Sequence, residues 1–179
     1  MAYKIEEINP LNCVFSFRMD EYDCYALKTG RCSLYLSDAE AAEVNKTEKG
    51  ISESNVMYCR DLRDSLLNVN YFEEPDFQTD IYSIRIHQRA CGHYVFTDGQ
   101  HRSCIAKHLN LNKMYVNKEI ESSNDIICPA CLHKKNTKKE NNFFSSFFSL
   151  FKKNKEKSRE IPYFFIDDEY IDFQDTPKE

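Results

Sequence analysis

At 179 residues, 41% hydrophobic and 30% charged, the chain has the size for one buried core and an appendage. Its net charge of -5 is segregated: residues 1–132 hold 14 Lys/Arg against 20 Asp/Glu, residues 133–160 hold 9 against 3, and residues 161–179 hold 1 against 6. The main body is therefore mildly acidic, which does not support broad duplex DNA binding. No apolar run is long enough to cross a bilayer, and Met1 to Glu7 lacks a signal peptide's apolar core. A cytoplasmic protein is expected, its eight cysteines serving as thiols or metal ligands rather than disulfides. Four glycines, no tryptophan and no Walker or Rossmann pattern argue against a glycine-rich nucleotide loop of those types.

In chain order, Cys13 to Arg18 and Tyr25 to Lys28 are predicted as short strands, with Thr29-Gly30 as a turn. Ser37-Asp38-Ala39-Glu40 has the spacing of a capping box and starts a helix expected to reach Lys46. Arg60 to Val69 forms a second helix with Leu62, Leu66 and Val69 on one face, and Tyr71 to Asp80 a loop. Ile81 to His87 alternates as a strand, Gln88 to Gly92 turns, and His93 to Thr97 returns. A helix over Ser103 to Leu109 and a strand over Met114 to Ile120 complete a domain spanning 1–132.

Between the returning strand and the next helix stands Asp98-Gly99-Gln100-His101-Arg102. A strand turning sharply into a helix leaves the first amides unpaired at the positive end of the helix dipole, a site suited to anions. An arginine in the first turn adds a full charge. Strand, DGQHR, helix and strand over residues 81–120 resemble the ParB/sulfiredoxin superfamily, with the Asp-Gly-x-His-Arg form similar to its free-serine kinases and DGQHR-type proteins. The resemblance implies a small α/β (α+β) domain with a mixed sheet that binds nucleotide phosphates at the corner. It places Gly99 at the turn and Gln100, His101, Arg102 and Ser103 around the phosphate. Asp98 would orient His101, hold a nucleotide-bound metal or cap the helix. Asp98, His101 and Arg102 become the catalytic candidates, and ATP or CTP with Mg²⁺ the implied ligand. In serine-kinase relatives an upstream glutamate is the base, for which Glu73 and Glu74 are the candidates here. Gln100 stands where sulfiredoxin has its reactive cysteine, and the Glu-Arg-Arg of segregation ParB proteins is missing, so neither activity is expected. Two functions remain: phosphoryl transfer or nucleotide hydrolysis, and a non-catalytic, zinc-stabilised regulatory or DNA-associated module.

Cys91-Gly92-His93 and Cys128-Pro129-Ala130-Cys131 supply four soft ligands on two short knuckles, the pattern of a structural Zn²⁺ site. His133 is the alternative to His93. Cys13, Cys24, Cys32, Cys59 and Cys104 lack ligand spacing and are expected as ordinary thiols, and His87 and His108 have no partner in sequence. Residues 133–160 alternate lysine clusters with Phe143, Phe144, Phe147, Phe148, Leu150 and Phe151, and over 143–157 fit docking on a protein partner or lying on an anionic membrane surface. In the acidic tail 161–179, Ile161 to Ile166 would add an edge strand or hang free.

Overall fold

A computed structural model describes residues 3–19, 23–47, 55–79, 82–119, 126–132, 135 and 165–166. Its six strands are β1 (Tyr3–Ile8), β2 (Phe15–Phe17), β3 (Arg85–Gln88), β4 (Tyr94–Asp98), β5 (Met114–Glu119) and β6 (Phe165–Ile166). Its helices are α1 (Tyr25–Thr29), α2 (Asp38–Thr47), α3 (Tyr58–Asn68) and α4 (Gln100–His108). The strands form one mixed sheet in the order β1-β5-β3-β4-β2-β6. β5 runs parallel to β3 and β2 parallel to β4, and the remaining neighbours are antiparallel. The small α+β fold expected from the sequence is thus the fold observed.

Period-two alternation explains the two faces of the sheet. Phe15 and Phe17 of β2, Ile86 of β3, and Met114 and Val116 of β5 enter the main core, where they meet Ala26, Leu66, Ile105 and Ala106 from α1, α3 and α4. Phe96 packs 5.2 Å from Phe15 and 5.1 Å from Phe17, ring centre to ring centre. Val95 of β4 faces the other way and forms a separate small core with Cys128 and Ala130.

The capping box is present: the Glu40 amide donates to Ser37 Oγ at 3.3 Å and the Ser37 amide to Glu40 Oε2 at 2.7 Å. Three expectations need correction. Tyr25–Thr29 is a helix, because Gly30 adopts φ +82° as its C-terminal cap and donates to Ala26 O at 2.7 Å, so the Thr29-Gly30 turn signal ends a helix rather than joining strands. Val69 lies beyond the end of α3 and is exposed. The strand expected from Ile81 starts at Arg85, and the Tyr71–Asp80 loop contains a 3-10 turn, Pro75–Gln78, whose buried Gln78 accepts from the Ile84 amide at 3.0 Å.

β1 was not foreseen. It is an edge strand with little buried alternation, held by β5 and by a 3.1 Å Lys118–Glu6 ion pair that accounts for the lysine interrupting β5. Phe165–Ile166 pairs with β2, the edge-strand alternative for the tail. His133, the 143–157 segment and most of 161–179 lie outside the described residues. Among the described residues no helix is long and apolar enough to cross a membrane.

Candidate functional site

β4 ends at Asp98, and Gly99 turns the chain into α4 with φ +93°. Glycine is required there twice. The backbone is left-handed, and a Cβ would lie 2.9 Å from Ile84 Cα. No side chain caps α4, and Asp98 Oδ1 instead accepts from the Gly99 amide at 2.6 Å.

Apart from an Asp98–Arg102 ion pair, the motif side chains separate from one another. Gln100 clasps the end of β2: its Oε1 accepts from the Arg18 amide at 2.5 Å and its Nε2 donates to Arg18 O at 3.0 Å. Arg102 donates to the Tyr71 hydroxyl at 2.8 Å and to Ser83 O at 3.4 Å, and pairs with Asp98 at 3.1 Å. His101 turns under α3, edge-on to Tyr58 and 3.6 Å from Cys59 Sγ. Burial holds its imidazole below the ordinary value against the opposing charge of Asp23. Burial, reinforced by Cys24 and Cys32, pushes the Cys59 thiol up to about 12. The pair is therefore a neutral ring against a neutral thiol, without the thiolate a nucleophilic dyad needs.

Ser103, expected beside the phosphate, sits deeper than the rest of the motif. It is fully buried, its amide is already bonded to Gly99 O, and its side chain is absent from the cavity wall described next.

A cavity of about 440 Å³ opens beside the first turn of α4. Asp98 to Arg102 form one end, and Leu62, Leu66, Tyr58, Tyr71, Phe77 and Tyr82 supply apolar and aromatic walls. Ser65, exposed on α3, stands at its edge. Nothing in the spacing of the chain signals these walls, since they come from α3 and from the Tyr71 to Tyr82 segment. Glu73 and Glu74 are exposed and do not line it.

At the other end of β4, Cys91, His93, Cys128 and Cys131 bring their ligand atoms within 4.8 Å of one another, a group that could hold a metal ion. Gly92, at φ +83°, folds the first knuckle back so that Cys91 and His93 share one side. His93 Nδ1 lies 3.4 Å from both Cys128 Sγ and Cys131 Sγ. The Cys128 amide donates to Cys91 Sγ at 3.3 Å and the Cys131 amide to Cys128 Sγ at 3.4 Å. Against burial, amide donors from Cys128 and His93 hold the Cys91 thiol below its ordinary value. Burial and the neighbouring sulfurs push Cys131 up to about 12, the mutual resistance to ionisation that a bound cation would relieve. Of the remaining cysteines, Cys13, Cys24 and Cys32 are buried and Cys59 and Cys104 half-buried.

No protein-family model, no curated protein and no solved structure matches the chain.

Proposed function

We propose that this chain is a nucleotide- or phosphate-binding domain of ParB/sulfiredoxin type, clamped by a structural Zn²⁺, that binds its ligand without turning it over. The observation carrying this reading is the cavity of about 440 Å³ in which the uncapped first turn of α4 meets aromatic walls. Its size falls in the range of small-molecule sites. Aromatic faces suit a base, and the helix start suits a phosphate. Asp98, whose side chain is 48% exposed, is the residue positioned to meet a Mg²⁺ accompanying ATP or CTP.

Binding without turnover is favoured over phosphoryl transfer by how the motif is spent. Arg102 and Gln100 are engaged with Tyr71, Ser83, Asp98 and Arg18. His101 is packed against Cys59 and Tyr58. No described acid lining the cavity other than Asp98 is in place to handle a proton.

Zinc suits the donor set. Three sulfurs and an imidazole are soft ligands, and a tetrahedral Zn²⁺ holds its sulfur and nitrogen donors about 3.5 Å apart. Both sulfur–nitrogen separations at His93 are 3.4 Å, which supports that assignment. Four protein ligands leave no open position, so the ion would tie the hairpin before β4 to segment 126–132 and add no chemistry of its own.

Thermal-shift and calorimetric titration of the full chain with ATP and CTP, with and without Mg²⁺, tests the proposal. Wild type should bind one of them, and Ser65→Trp, which fills the cavity edge from an exposed position, should abolish binding while the fold persists. Binding unchanged in Ser65→Trp would overturn the assigned cavity. Mg²⁺-dependent release of phosphate would overturn the binding-only reading.

A further inference from the structure

A second cavity, of about 230 Å³, lies on the clip side of the sheet, bounded by Ser16, Arg18, His87, Arg89, Gln100 and Pro129 among others. Ser16 sits between Phe15 and Phe17, which enter the main core, so alternation sends its side chain to the clip side. It is only 4% exposed, and among the described residues its Oγ has no hydrogen-bond partner. His87, opposite Val95 in the β3–β4 register, presents an Nδ1 that is likewise buried without a hydrogen bond and stands 3.6 Å from the Glu119 carboxylate. Glu119 does not line the cavity, whereas Arg18 and Arg89 do.

Buried polar atoms almost always find a partner, so the Ser16 hydroxyl, turned to this cavity without one among the described residues, calls for a molecule that is hydrogen-bonded there. We propose that this cavity binds a small tetrahedral oxyanion of the phosphate class. The two arginines supply the charge and fork geometry that phosphate oxygens match. Ser16 supplies a hydroxyl donor, and His87 a ring nitrogen. Burial, then the charge of Arg89, keep His87 below its ordinary value against the opposing charge of Glu119. Gln100 borders both cavities and fixes the Arg18 backbone through its two hydrogen bonds, so it acts as a positioning residue for this second site. Pro129, between the ligand cysteines of the clip, closes one wall.

Titration calorimetry of the full-length, metal-loaded chain with inorganic phosphate and, in parallel, acetate tests the assignment. Wild type should take up about one phosphate per chain, and Arg89→Gln should weaken it about tenfold or more, the loss of a charge-assisted contact. Ser16→Ala, a near-isosteric change that leaves the charge in place, should weaken it about threefold. Ser65→Trp, at the edge of the first cavity, should leave it unchanged. No heat at millimolar phosphate, equal affinity in Arg89→Gln and Ser16→Ala, or a loss confined to Ser65→Trp would each overturn the site. Acetate binding as tightly as phosphate would overturn the ligand class.

Discussion

The two ends of β4 make a controlled comparison within one strand. At its start, Cys91 and His93 meet Cys128 and Cys131, residues far apart in sequence whose ligand atoms converge within 4.8 Å. At its end, consecutive residues diverge, except that Arg102 turns back to pair with Asp98 at 3.1 Å. Gln100 goes to β2, His101 under α3, Arg102 to Tyr71 and Ser83, and Ser103 into the core. A metal-type cluster is defined by the point its side chains share, so its roles can be read from residue type and spacing. Contiguous residues on a helix point in directions about 100° apart, so a contiguous motif guarantees a shared backbone feature and not a shared side-chain site. What the corner keeps in common is its turn and its first amides.

If that contrast is right, the two ends should fail separately. Cys128→Ser should have the largest effect: bound zinc should fall from about one per chain to near none by elemental analysis, with a stability loss on the order of 5 kcal/mol. The metal-loaded fold should survive in Gly99→Ala, with its metal content unchanged. That substitution forces a side chain into a left-handed backbone, about 1–2 kcal/mol, and into contact with Ile84 Cα, for a total of roughly 3 kcal/mol in denaturant melting. A Gly99→Ala protein that also lost its metal would show that β4 couples its two ends.

The same contrast explains what the sequence made legible. The α2 cap, most of α3, the β3–β4 hairpin and the Gly99 corner rest on signals within a few residues of one another, and each lies close to its expected position. The two Cys/His knuckles are local in the same sense. β1 was illegible because an edge strand whose one described neighbour is β5 has no strong alternation of its own. α1 was misread because a left-handed Gly30 is the same token in a turn and in a helix cap. The cavity walls were illegible for a different reason. Tyr58 comes from α3 and Tyr71 and Tyr82 from the segment after it, and only tertiary packing around the first turn of α4 brings them to one place.

Arg102→Met sharpens the reading of the corner as a structural knot. The variant loses donors to the Tyr71 hydroxyl and Ser83 O, the Asp98 ion pair, and the guanidinium's seat 5.5 Å from the Tyr71 ring centre. Asp98 is half exposed, so solvent screens that pair and the expected loss is about 2 kcal/mol rather than the larger cost of breaking a fully buried one. Tyr71→Phe should reproduce part of it, because the same hydroxyl also donates to Tyr82 O at 2.7 Å. Chemical denaturation of the two single variants and the double variant separates the shared contribution. Strict additivity would mean that Arg102 and Tyr71 act independently, against the knot.

The smallest effect belongs to a motif whose side chains do converge, the α2 capping box, and it serves as the internal control. The Ser37 amide, then the Ser37 hydroxyl, then Arg31 hold the Glu40 carboxyl down to about 2 from an ordinary 4.5. A folded value below the unfolded one stabilises the fold at pH above the unfolded value, and that contribution fades as pH falls from about 4.5 to about 2. Glu40 lies at the surface, so the change in stability should be slight and the site is better followed directly. An NMR titration of the Glu40 carboxyl should give a midpoint near 2 in wild type, shifted back toward 4.5 in Ser37→Ala, which removes the hydroxyl but keeps the amide. A wild-type midpoint near 4.5 would mean that the box is open in solution, and that neighbours in sequence need not meet even where their spacing favours it.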